Sequence, residues 1–306
     1  MLVRKTCACV NDRANAFITV EDSSPRKRRK RSKKKDAPKR VVLEASQVLD
    51  LLSYDESQPH KDIDRCRNDG QTMSVASKDR ASYVARSEKL KYWLVNARTS
   101  TALLIFGNSS EADTLSSPLS FIAAELAHNC VETDSTKALA YFCGQHTDSW
   151  RDPRANATGL IVSLITQLLS QTGEESVDTM FNLAFMDDEM CRLIRQDDIE
   201  ALCDLFKTLV LQIKFLKVLI CIIDTISIYE TAERRAATSY VLAVLMEIVE
   251  ETGNNIGVVF KLLITEPGAY CAAETSFLEE EILRVEEFID GTGQGVLDMD
   301  GLQPDF

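Results

Sequence analysis

Hydrophobic positions in this chain fall into short unbroken runs separated by stretches of helical period. The clearest run, Val218–Ile223, is apolar at every position and ends on Asp224. It is too short to cross a membrane and too continuous for a strand with one wet face. It therefore predicts a strand covered on both faces of a parallel sheet. Ala102–Phe106, Ala138–Cys143 and Gly257–Thr265 predict three more strands. Helical patterns lie between them. Ser117-Pro118 supplies a capping hydroxyl and a first-turn proline, predicting a helix to Asn129. Ala157–Gln171 is amphipathic, Asp197 or Asp198 caps a helix running to Gln212, and Glu233–Thr252 forms another helix, ended by Gly253. Before the first strand, Val41–Leu52 predicts a short helix, and Ser53–Ser77 is polar and irregular. From Ser77 or Lys78 to about Ala97, Tyr83, Leu90, Trp93 and Leu94 recur at helical spacing and predict core contacts. Val177–Asp188 has no clear pattern. Phe277–Ile289 predicts an acidic helix with Glu279, Glu280 and Glu281 at its front.

Strands alternating with helices predict an α/β fold, a parallel sheet flanked by helices on both faces. Ligands of such sheets lie beyond the carboxyl ends of the strands, which is where Asp224 points.

Charge divides the chain. Residues 1–40 hold fourteen Lys/Arg against four Asp/Glu, a formal charge of +10; the whole chain is −12, leaving −22 on the remainder. Eleven of the sixteen residues Pro25–Arg40 are basic. Such a block cannot collapse on itself, so residues 1–40 are predicted to be a disordered basic arm. A linker with a short helix (41–79), the α/β domain (80–290) and a disordered tail (291–306) complete the expected organisation. Arg26, Lys27, Arg28, Arg29, Lys30, Arg31, Lys33, Lys34 and Lys35 read as a nuclear import signal for an importin-type receptor, or as a nucleic-acid contact. The expected location is nuclear or cytoplasmic. The acidic remainder repels nucleic acid and anionic membranes, so any such contact must come from the arm. Nine scattered cysteines, with Cys7-Ala-Cys9 the one close pair, read as reduced thiols of an intracellular protein. No secretory signal is evident, and no window approaches the roughly 20 apolar residues of a membrane span.

The order of these elements carries a resemblance. WLVNARTSTALLIFGN, the PLSFIAAEL helix, YFCGQHT, LIVSLITQLLSQ, the IEALCDLFKTLV helix, VLICIIDTISIYE and VVFKLLIT together resemble the nucleotide-binding region of fungal NACHT-like STAND NTPases, over roughly Ser87 to Thr265. The resemblance implies a P-loop NTPase-like sheet. It implies a phosphate loop after the first strand, a Mg²⁺ carboxylate at Asp224, a sensing polar residue at Thr265, and ATP or GTP with Mg²⁺ as ligand. It loosely implies a role in fungal self/non-self recognition. On this basis Gly107, Asn108, Thr114, Ser116 and Asp224 are the candidate nucleotide-binding residues.

The diagnostic motifs are degenerate. A phosphate loop reads G-x-x-x-x-G-K-[ST]: glycines let amides close on the phosphates, Lys neutralises charge, and the hydroxyl holds Mg²⁺. Starting at Gly107 places Ala112 at the second glycine, Asp113 at the lysine and Thr114 at the hydroxyl. Glu111 adds a second acid, and no Lys or Arg occurs from Thr99 to Thr136. Carboxylates facing a triphosphate oppose binding. The NACHT pattern follows its first Asp with a Gly and then a further acidic pair; here Ser227 and Ile228 stand where the acids would be. A Cys–His nucleophile pair from Cys143 or Cys221 with His146 is disfavoured by the apolar strands holding both thiols. No metal-ligand spacing or calcium loop is evident. The expected function is a non-catalytic NACHT/STAND-like scaffold or regulatory protein with protein partners and no cofactor, ATP or GTP with Mg²⁺ being disfavoured. One alternative is a nucleotide-binding switch with an altered loop, using Asp224 and Thr114 or Ser116 on the metal. Another is a nuclear factor acting through the basic arm.

Overall fold

The apolar runs form the strands they predict. In a computed structural model, which describes residues 43–109, 117–130, 135–170, 181–214, 216–253 and 257–289, they are β1 (Thr101–Phe106), β2 (Thr136–Phe142), β3 (Val218–Asp224) and β4 (Val259–Glu266). A fifth short strand, β5 (Ile282–Arg284), joins them. All neighbouring pairs are parallel, in the order β2-β3-β4-β1-β5. Successive strand residues feed two separate cores: Leu219, Cys221 and Ile223 lie in one, and Val218, Ile220 and Ile222 in the other. With both faces covered, no position in β3 meets water, hence its lack of polar alternation.

Parallel neighbours require crossovers. Helix α5 (Pro118–Asn129) connects β1 to β2 over one face. On the other face lie α6 (Ala157–Ser170), α7 (Asp188–Arg195) and α8 (Ile199–Gln212), between β2 and β3, and α9 (Arg235–Gly253), between β3 and β4. The connection leaving β1 skips β4 and β3 to reach β2, and the chain then returns strand by strand. The reversal opens a crevice at the carboxyl ends of β1, β4 and β3, the standard place for a ligand in such sheets.

Four helices precede the sheet: α1 (Ala45–Leu52), α2 (Gln58–Gln71), α3 (Val75–Ala85) and α4 (Glu88–Val95). α1 packs on α6 and α7, and α2 and α3 pack on α5. The irregular segment expected at Ser53–Ser77 is thus corrected: most of it is α2. Its inner face is Pro59, Asp62, Cys66 and Gly70. The spacing is helical, but an acid and a glycine stand where the apolar marks should be. Gly70 is needed, since a Cβ there would lie 2.0 Å from the Phe121 ring. The single helical stretch expected over about 78–97 is two helices, broken where Ser87 caps α4. Leu90, Trp93 and Leu94 are core residues as expected, whereas Tyr83 is 40% exposed.

The acidic helix expected at Phe277–Ile289 is also corrected. Short 3-10 turns at Ala272–Ser276 and Glu279–Glu281 lead into β5. Glu279 and Glu280 stay exposed and Glu281 half-buried, while Ile282 and Val285 are buried. The Val285 amide then donates to the Phe106 carbonyl at 2.9 Å. Helix α7 was not foreseen; it buries only Cys191 and Ile194 and is capped by Asp187, which accepts from the Met190 amide at 2.9 Å.

The outer strand β2 is protected by a side chain. Gln167 of α6 accepts from the Ala140 amide and donates to the Ala140 carbonyl, each at 2.9 Å. One amide group thereby replaces a rung of a neighbouring strand. No helix among the described residues is long and apolar enough to cross a membrane.

Candidate functional site

Asp224 ends β3 and is 1% exposed. The β3–β4 register places it opposite Thr265. Thr265 Oγ1 donates to its Oδ1 at 2.6 Å, while Ser120 Oγ and Thr225 Oγ1 donate to its Oδ2 at 2.8 and 2.9 Å. Burial pushes this carboxyl above its ordinary range, and the three hydroxyl donors partly oppose that rise. Local sequence sets each donor. Ser120 sits in the first turn of α5, where it exchanges backbone-to-hydroxyl bonds with the cap Ser117, 3.1 Å each way. Thr225 has φ 57°, a left-handed conformation that a β-branched residue rarely adopts. The NACHT pattern has glycine here, and the turn explains why. Thr225 is held by its amide, which donates to the Thr265 carbonyl at 2.9 Å.

Glu266 adds a second buried acid. Its Oε1 accepts from the Gly268 amide at 3.0 Å and its Oε2 from the Ser227 amide at 3.3 Å. Burial raises its pKa, the neighbouring Asp224 charge adds to the rise, and the amide and Ser227 hydrogen bonds oppose it.

The segment leaving β1 decides what the crevice can hold. The amides of Gly107, Asn108 and Ser109 donate to the carbonyls of Glu266, Gly268 and Pro267, at 2.7, 3.0 and 2.9 Å. In a phosphate loop such amides converge on the anion. Here they are committed to backbone. Gly107 allows that close approach, because a Cβ would come within 2.9 Å of the Pro267 oxygen. The base missing from the neighbouring sequence is present in space: Arg80 of α3 donates to the Gly107 carbonyl. It also donates to the carbonyls of Glu286 and Glu287, at 3.1 and 2.8 Å. Beside it is a cavity of about 340 Å³ lined by Ser77, Arg80, Asn108, Ser109, Pro118 and Phe288, among others. In this arrangement the described amides of residues 107–109, the Asp224 carboxylate and the Arg80 guanidinium are all engaged with protein groups.

Of the predicted residues, Gly107, Asn108 and Asp224 border this one crevice. Thr114, Ser116 and the basic positions Arg26 to Lys35 lie outside the described residues. Sequence reasoning missed Ser120 and Arg80. Ser120 had a signal: the metal-holding hydroxyl of a phosphate loop opens the following helix, and Ser117-Pro118 marked that opening. Arg80 had none, since 27 residues separate it from Gly107.

Cys143 and His146 form no nucleophile pair. The Cys143 thiol is fully buried and pushed well up by that burial, and both His146 ring nitrogens face carboxylates, Asp152 at 2.7 Å and Asp62 at 2.9 Å. The described cysteines Cys66, Cys130, Cys143, Cys191, Cys203, Cys221 and Cys271 are all buried. Among the described residues no group of three or more His, Cys, Asp or Glu could hold a metal ion.

No curated protein and no solved structure matches the chain significantly. One family model does match, that described as nephrocystin 3, N-terminal, over residues 81–265. The match covers more than half of the chain, from α3 to the end of β4, and nearly the same stretch that resembles NACHT proteins by its motifs. The chain therefore belongs to the nephrocystin 3 N-terminal family, a NACHT-associated domain family.

Proposed function

We propose that this NACHT-like domain is a non-hydrolysing scaffold for regulatory contacts with protein partners. The observation that carries the reading is the engagement of the Gly107, Asn108 and Ser109 amides by the backbone of residues 266–268. Asp224 is occupied in the same way by three hydroxyls. Nucleotide entry would have to break these bonds in a crevice whose buried titratable groups, Asp224 and Glu266, are both acids. Isothermal titration of the full chain with Mg-ATP and Mg-GTP tests this. No heat and no phosphate release are expected; micromolar binding or measurable hydrolysis would overturn it.

The Ser120–Asp224 contact favours a second reading, a switch that binds nucleotide through a rearranged loop. It joins the hydroxyl and carboxylate that hold Mg²⁺ in P-loop proteins. If titration detects binding, Asp224→Ala should abolish it; binding that survives Asp224→Ala excludes this crevice. The basic arm supports nuclear import through an importin-type receptor. A tagged chain lacking residues 25–40 should then lose nuclear accumulation, and unchanged nuclear signal would sink that part of the proposal.

A further inference from the structure

His146 lies just beyond β2, buried and stacked on the Tyr141 ring at 4.9 Å with the planes 15° apart. Its Nδ1 is 2.7 Å from Asp152 Oδ2 and its Nε2 2.9 Å from Asp62 Oδ2. An ionised carboxylate only accepts, and neutral imidazole has one N–H. Two such contacts therefore require the imidazolium. Both acids are themselves fixed: Gln58 Nε2 donates to Asp62 Oδ1 at 2.8 Å, and the Arg154 amide to Asp152 Oδ1 at 2.9 Å. The His146 carbonyl accepts from Tyr229 Oη at 3.0 Å, which holds the backbone at this position.

The two acids come from different parts of the fold. Asp152 is in the loop before α6, and Asp62 is on the inner face of α2. We propose that Asp62, His146 and Asp152 form a proton-operated latch, fastening the first half of α2 to the carboxyl edge of the sheet and releasing it when His146 loses its proton. The neutral ring would turn a lone pair toward one carboxylate, so that the Oδ2 of that acid would lose its donor and face a lone pair instead, with only its Oδ1 still bonded. The second half of α2 has separate attachments, the Gly70–Phe121 contact and the Arg67–Glu125 ion pair at 2.9 Å. Release is therefore local.

The surrounding charges act in the same sense. Burial pulls the His146 pKa down, but the hydrogen bonds and charges of Asp62 and Asp152 outweigh it, and the net direction is up. From α2 the ring faces Asp62, from β2 Tyr141, and from its own loop Asp152. Tyr229 approaches from the turn after β3, with Arg234 over its outer face at 5.4 Å. A cavity of about 540 Å³ reaches the cluster between Tyr54, Asp55, Arg151 and Arg154, giving protons a path. A histidine pKa raised by folding stabilises fully below its unfolded value near 6.5. That stabilisation is lost as pH rises through the folded value.

Native-state hydrogen exchange of the full chain tests the latch, with rates corrected for intrinsic base catalysis. Protection of residues 58–64 should fall as the pH is raised from about 6 to 9, below to above the ordinary histidine range, while residues 199–212 of α8 keep theirs. In His146→Gln the segment should be poorly protected at both pH values. Should His146→Gln fail to fold, Asp62→Asn serves, because it keeps the side-chain shape and removes one charge. Wild-type protection that does not change with pH, or an unchanged fall in Asp62→Asn, would overturn the proposal.

Discussion

Lys261 is a cation in the middle of the sheet, and replacing it with methionine should change how stability depends on pH. It lies on β4, 1% exposed. Its Nζ donates to the Trp93 carbonyl at 2.8 Å and to Thr101 Oγ1 at 3.2 Å, and sits 5.6 Å from the Trp93 ring centre. No carboxylate is among these partners. Burial lowers its pKa from 10.5 to about 8. That difference corresponds to about 3 kcal/mol favouring the neutral amine in the fold. Below about pH 8 both states carry the proton and the fold bears the whole penalty. Between about 8 and 10.5 the unfolded chain binds more protons than the folded one, so this term makes stability rise with pH. Buried thiols oppose the trend: burial pushes Cys130, Cys203 and Cys271 up to about 12. They act alike in wild type and variant and cancel in the difference. At pH 7 Lys261→Met should be nearly neutral, since losing the penalty is offset by about 1–3 kcal/mol for each acceptor left bare. Urea unfolding of both proteins from about pH 7 to 10.5 reads the difference directly. Wild type should gain about 3 kcal/mol on Lys261→Met across that range. A difference that stays flat with pH would refute the reasoning.

Two substitutions test the packing around the sheet. Gly70→Ala drives a Cβ to 2.0 Å from the Phe121 ring and should cost about 1–3 kcal/mol in thermal or urea unfolding. Phe121→Leu in the same chain should recover part of the loss, and additive losses in that double-mutant cycle would show the contact is not the cause. Gln167→Leu strips the amide that covers Ala140 on the outer strand. It should cost about 2 kcal/mol and promote concentration-dependent association in size-exclusion chromatography; a strictly monomeric, equally stable variant would refute the capping role.

Much of the fold is legible because burial on both faces leaves a direct mark. The four long strands read as mainly apolar runs, interrupted in β4 by Lys261, and the helices that cover them carry recognisable caps at Ser117 and Asp198. The site is legible at two ends, Gly107 and Asp224, because each terminates such a run. What failed to register was structure made by pairing instead of by periodicity. α2 buries Asp62 and Gly70, whose fitness depends on His146 and Phe121, residues 84 and 51 positions away in the chain. β5 is three residues long and gains its place by bonding to β1, while the glutamates before it suggest a helix.

Chemistry divides in the same way. By itself the sequence determined that a parallel sheet forms, that Asp224 stands at its carboxyl edge, and that the usual phosphate lysine is missing from the loop. Only the tertiary structure decided what each of these means. It brings Ser120, Thr225 and Thr265 onto the two oxygens of Asp224, turns the amides of residues 107–109 onto the backbone of residues 266–268, and delivers Arg80 to the Gly107 carbonyl. Hydrogen bonds saturate. Whether a donor is open to a ligand depends on which acceptor reaches it first, and that acceptor is set by the crossing of distant segments.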